Sequence, residues 1–145
     1  MKKFLISGMI VASLLTMPLA QAETTICDAK IALADARFNL MMMVFSMEKS
    51  EQDTLKIEID KASTALEKAV KTMLKDERKF DDVLLTSFQE TWDQFKNTRE
   101  TKIVPAIRAG NNDKAIEIAT GIQGERMNTM NGIIQALNGD NCDLE

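Results

Sequence analysis

Three arginines and a lysine stand where apolar stripes would otherwise continue. Arg99 and Lys102 follow Phe95 at inward-facing helical spacing, Arg126 falls within about 20° of the line through Ala119 and Met130, and Arg37 borders Leu33, Ala36 and Leu40. Guanidinium groups suit planar two-point capture of carboxylates. Arg37, Arg99, Lys102 and Arg126 therefore form a candidate binding site for a small anionic ligand. The competing reading is structural: long Arg stems carry their charge to water, and Glu67 or Glu100 offers a partner to a head that stays inside.

Other chemistry is excluded by what the chain lacks. Among 145 residues there is no His and no Tyr. Ser-His-Asp and Cys-His catalysis, His-held zinc or copper, and haem are thereby removed, and there is no C-x-x-C-H. Net charge is −4 with no basic stripe, which argues against nucleic acid. No acid–base pair or nucleophile constellation stands out, so neither an enzyme nor a cofactor is expected. The methionines Met41, Met42, Met43, Met47, Met127 and Met130 leave one alternative, since thioethers are soft ligands for Cu(I). Met is also an adaptable core filler, and most of these have stripe positions.

The first 22 residues read as an address. Lys2 and Lys3 precede the apolar run Phe4 to Met17, and Ala20-Gln21-Ala22 is an A-x-A cleavage site. Cleavage after Ala22 leaves residues 23–145 as one extracytoplasmic, periplasmic domain. An uncleaved anchor is the alternative, but the apolar stretch is short for a membrane span.

No Gly or Pro interrupts residues 23–104, so long helices must position the candidate groups. Thr25-Ile26-Cys27-Asp28 is a capping-box pattern opening a first helix to about Lys49, with Ala29, Leu33, Ala36, Leu40, Met43 and Met47 on one face. Ser50-Glu51-Gln52-Asp53 repeats the pattern, and Leu55, Ile59, Ala62, Leu66, Ala69 and Met73 carry a second helix to about Leu74. The turn after it, within 75–79, has no Gly or Pro to mark it. Leu84, Phe88, Trp92 and Phe95 define a third helix ending near Arg108. Gly110 stops it, Asn112 is the expected cap of a fourth, and Gly139 closes that one after Leu137. Four such helices predict an all-α, antiparallel up-down-up-down bundle some 35 to 40 Å long. In that bundle Arg37, Arg99 and Arg126 fall within roughly 6 to 8 Å of one height.

The topology brings Cys27 and Cys142 to the same end, and an oxidising compartment predicts that they pair. Helix one also has a second apolar face. Ile31, Phe38, Met42 and Phe45 lie opposite its core stripe, flanked by Ala34 and Met41. Such a face predicts a homodimer built by helix one against its symmetry mate, unless a skewed bundle buries both faces.

Three segments carry a family resemblance: Phe88-Gln89-Glu90-Thr91-Trp92-Asp93-Gln94-Phe95, then Ile103-Val104-Pro105-Ala106-Ile107, then Gly110-Asn111-Asn112-Asp113-Lys114-Ala115 with Gly121 beyond. Together they resemble the second half of the four-helix-bundle sensor domain of methyl-accepting chemotaxis receptors. The resemblance implies a ligand-sensing, usually dimeric domain outside the inner membrane, with helix one at the dimer interface and arginines often gripping anionic ligands. Receptors of that kind hold the domain between two membrane spans. Here the chain stops eight residues after Leu137, so the expectation is a free-standing binding module, with a small ligand or a membrane receptor as partner. A Met-based copper protein and a structural or chaperone-like helical protein are the alternatives.

Overall fold

A computed structural model describes residues 25–76 and 81–143. The leader expected over residues 1–22 and its cleavage site lie outside the described residues, as do residues 77–80 of the connection between the second and third helical runs.

The chain forms a four-helix bundle. Its elements are α1 (Ile26–Phe45), α2 (Lys49–Met73), a third run of α3 (Asp82–Thr98), a π-helical turn (Arg99–Ile103) and α4 (Val104–Arg108), and a fourth run of α5 (Asn112–Thr120) and α6 (Ile122–Ala136). Side-chain ties fix the directions. Lys30 at the start of α1 donates to the Gly139 carbonyl at 3.2 Å, while Asn112 at the start of α5 donates to the Val44 carbonyl near the end of α1 at 2.8 Å. The first and fourth runs are therefore antiparallel. Ties from Ser63 to Arg99 and from Gln52 to Arg108 show the same of α2 and the third run. None of the described helices is long and apolar enough to cross a membrane.

The core follows from the 3-4 spacing of apolar residues. Ala29, Leu33, Ala36, Leu40 and Met43 of α1, then Ile59, Ala62, Leu66, Ala69 and Met73 of α2, are buried against Leu85, Phe88, Trp92 and Phe95 of α3. Trp92 stacks on Phe95 with ring centroids 5.5 Å apart. The fourth run contributes Ala115, Ala119, Met130, Ile133 and Ile134.

Helix ends differ from expectation by a turn or less, for local reasons. The Asp28 carboxylate accepts from the Thr25 N–H at 2.7 Å, as the capping pattern requires. However, α1 stops at Phe45 because Ser46 leaves the helix, and Met47 is then exposed instead of extending the core stripe. The second pattern, Ser50 to Asp53, lies inside α2. The cap position is Glu48, and the Ser46 hydroxyl donates to Glu51 at 2.5 Å. Gly110 takes a left-handed φ of 74°, which an L side chain adopts only under strain. Asn111, not Asn112, caps α5, its side chain accepting from the Lys114 N–H at 3.3 Å. At the far end Asn138 takes the left-handed turn, and Gly139 is needed because a Cβ there would overlap Ile134.

Cys27 and Cys142 form a disulfide with a Cα–Cα distance of 5.4 Å, closing a sequence separation of 115. It joins the start of the first helix to the end of the fourth. Replacing both cysteines by Ser should lower unfolding stability by about 2–5 kcal/mol. Urea denaturation of the variant beside the oxidised wild type measures the loss, and equal midpoints would show the bond to be dispensable.

Candidate functional site

The third helical run carries an irregularity that decides which of the candidate cations turn inward. Pro105 has no N–H, and its ring would strike the carbonyl four residues back in a regular helix. Ahead of it the backbone widens to i→i+5 bonding, with the Val104 N–H reaching the Arg99 carbonyl. More residues per turn let positions spaced by four share one face. Phe95, Arg99, Ile103 and Ile107 are all buried on it. Lys102, expected at inward-facing spacing three after Arg99, is rotated out and exposed. That placement corrects the straight-helix reading.

Arg99 is wholly buried, at 0 % exposure. Its Nε donates to Glu100 at 2.7 Å and one terminal nitrogen to the Ser63 hydroxyl at 2.9 Å. The guanidinium carbon lies 5.6 Å from the centre of the Trp92 ring, close enough for cation–π attraction. The other terminal nitrogen, Nη2, is buried without a partner among the described residues. Glu100 is in turn held by Lys56 at 3.3 Å. Ser63 can serve because it sits on the inward face of α2 and satisfies its own donor on the Ile59 carbonyl at 2.7 Å, leaving lone pairs for Arg99.

Arg126 reaches the same turn from α6. Its Nη1 donates at 2.8 Å both to the Thr98 hydroxyl and to the Gln123 side-chain oxygen. Gln123, fully buried, donates in turn to the Phe95 carbonyl at 2.8 Å. Arg99 and Arg126 are thus brought together at the level of Phe95 to Arg99, with their hydrogen bonds directed to internal partners. Below them Glu67 accepts from Trp92 Nε1 at 3.1 Å and from Lys96 at 2.6 Å. Partial burial alone would raise the Glu67 pKa. The hydrogen bonds from Lys96 and Trp92, with the charges of Lys96 and Arg99, outweigh it and hold the carboxyl below its usual range.

Arg37 is not tied into this network. It is half-buried, and its Nη1 is inaccessible to water and has no partner among the described residues. Desolvation pushes its pKa below the ordinary value. Residues 30, 37 and 44 form one line along α1, and the ties to Gly139 and Asn112 bracket it, so Arg37 borders the seam with the fourth run. Beside it lies the second apolar face of helix one. Ile31, Phe38 and Phe45, seven residues apart, are 61 %, 63 % and 62 % exposed, and Met42 is 43 % exposed. Ala34 and Met41 complete a heptad seam between them.

The methionines divide between core and surface. Met43, Met73 and Met130 fill the core, Met41 and Met127 are half-buried, and Met42 and Met47 face solvent. Among the described residues no cluster of His, Cys, Asp or Glu could hold a metal ion.

Sequence reasoning missed Ser63, Thr98 and Gln123, the neutral partners that make burial of the arginines tolerable. A signal existed. Ser63 follows Ile59 by four and Gln123 follows Ala119 by four, so both stand on apolar stripes and required internal partners. Pro105, six residues after Arg99, was the corresponding sign of an irregular turn.

Two outcomes follow from this layer. Arg99→Ala should destabilise the bundle by about 2–5 kcal/mol through the cavity and the lost contacts. Arg99→Met, which keeps the stem and removes the unpartnered nitrogen, should cost less. Denaturant midpoints of the two variants test that order, and a costlier Met variant would mean that this layer cannot accept an apolar stem in place of the guanidinium. For Glu67, a depressed folded pKa means a contribution present in full above about pH 4.5, the ordinary value, and lost as pH falls through the folded one. Glu67→Gln should therefore flatten the acid limb of a stability–pH curve while leaving its shape above pH 6 unchanged.

Comparison with protein families gives a match to the four-helix-bundle sensory module for signal transduction over residues 21–142, which includes every helix described above. Comparison with curated proteins gives no match, and comparison with solved structures gives none. A matched region spanning most of the chain places the protein in that family: this chain belongs to the four-helix-bundle sensory modules of signal transduction.

Proposed function

We propose that this protein is an extracytoplasmic, non-catalytic sensor module that works as a homodimer through helix one, binds a small anionic ligand beside Arg37, and reports to a membrane receptor partner. The observation that carries the reading is the exposed heptad line of Ile31, Phe38 and Phe45 on a helix whose opposite face already supplies the core. Scattered surface apolar residues need no partner; a seam of two phenylalanines and an isoleucine at seven-residue spacing, with Met42 beside it, does. A two-fold partner would use the same line twice.

Arg37 supports the ligand half of the reading. At the edge of that seam it has a desolvated nitrogen with no described partner. Arg99 also keeps one unpartnered nitrogen, but it and Arg126 direct their other donors to Ser63, Glu100, Thr98 and Gln123. A carboxylate reaching Arg37 would complete its hydrogen bonding with a charge-assisted contact. Covering the seam would exclude water and strengthen that contact.

Calorimetric titration with small mono- and dicarboxylates, paired with light-scattering mass, tests both halves. Wild type is expected to be a dimer that binds a carboxylate. Arg37→Ala should stay dimeric with affinity reduced about 10-fold or more, and Phe38→Glu should be a folded monomer. A monomeric wild type would end the dimer reading, and unchanged binding in Arg37→Ala would end the Arg37 site.

A further inference from the structure

At the end of the bundle remote from the disulfide, the turn joining α1 to α2 faces the turn joining α4 to α5 across a cleft of about 560 Å³. That volume lies within the range of about 300–1,000 Å³ typical of small-molecule sites. One wall comes from Lys49, Gln52 and Asp53, the other from Arg108 and Asn112, and the buried side chain of Ile107 forms part of the floor. Neither the dimer seam nor Arg37 contributes to it.

The polar groups of this cleft are held in place but not exhausted. Gln52, only 6 % exposed, is fixed by donating to the Ser46 carbonyl at 2.9 Å, and its side-chain oxygen accepts from Arg108 at 3.4 Å. Arg108 Nη2 pairs with Asp53 Oδ1 at 2.5 Å. Asn112 is oriented by its bond to the Val44 carbonyl. What remains open is mixed. Asp53 Oδ2, Asn112 Oδ1 and a lone pair of Gln52 can accept, and the Lys49 ammonium, which has no ion pair among the described residues, can donate.

This mixture selects against charge. An anion drawn to Arg108 would lie beside the Asp53 carboxylate or displace it, and a cation drawn to Asp53 would meet Arg108 and Lys49. A hydroxyl group does either job, donating to an acid or amide oxygen and accepting from an ammonium, and leaves the Arg108–Asp53 pair intact. The carbon face of a polyhydroxylated ring would rest on Ile107 and the neighbouring Met47. We infer that this end cleft is a binding site for a neutral, polyhydroxylated molecule of the saccharide or polyol class, separate from the anion site proposed at Arg37.

The test is nuclear magnetic resonance of the side-chain amides of Gln52 and Asn112. Neutral mono- and disaccharides and linear polyols are titrated in parallel with a uronic acid and a dicarboxylate. Neutral compounds should give saturable shifts of both amides, with Kd at or below about 1 mM for the best of them. Asp53→Ala, checked for wild-type helical content, should weaken that binding about 10-fold or more, while Arg37→Ala should leave it unchanged. Failure of every neutral compound to saturate by about 10 mM, tighter binding of the charged compounds at these amides, or wild-type affinity in Asp53→Ala would each overturn the inference. Because Arg37→Ala separates the two sites, loss of this one leaves the dimeric carboxylate sensor untouched, and the reverse holds.

Discussion

A guanidinium that lies wholly inside the bundle, at Arg99, sets terms for the helices around it. Burying such a charge is costly unless its donors are met, and the partners come from three places. Ser63 is supplied by α2, Glu100 by the next residue along, and the face of Trp92 by the preceding turns of α3. The Ser63 tie holds only at one rotation and one height of α2 against the third run, whereas Glu100 and Trp92 belong to that run itself. The wide turn ahead of Pro105 is part of the same arrangement, since it keeps Arg99 in line with Phe95 and Ile103.

From that layer a second tie runs to the fourth run, through Arg126 and Thr98 and through Gln123 and the Phe95 carbonyl. Helix three is thus fastened on two sides at one level. Polar fastening of this kind adds little net stability compared with apolar packing, but it penalises slippage, because a one-residue shift would leave buried donors unmet. The disulfide does the complementary job at one end, joining the first and last helices where fraying would begin. At the other end lies the polar cleft between the two turns, held by Gln52, Arg108 and Asp53.

The arrangement divides the surface by role. Two arginines are used within the bundle, Arg37 at the edge of helix one has a buried nitrogen without a described partner, and the apolar line of Ile31, Phe38 and Phe45 lies outside everything that the fold itself requires. Membership in a sensory family agrees with that division, since a sensor needs a rigid body and surfaces left over for partners.

Much of this was legible from residue order. Apolar spacing of three and four fixes which face of a helix is buried, the scarcity of Gly and Pro dictates few long helices, and an even number of helices returns Cys27 to Cys142. The second apolar face of helix one was equally readable, because the angular position of a residue on one helix depends only on its period, although that the bundle leaves this face uncovered was decided by the tertiary structure. Tertiary structure alone decided the fate of the cations. Whether Arg99 is buried, whether Lys102 turns out and whether Arg126 finds Thr98 depend on a local change of helical pitch and on the rotation and rise of one helix against another. A 3.6-residue period specifies neither, since it places residues around one axis and leaves open what stands opposite them.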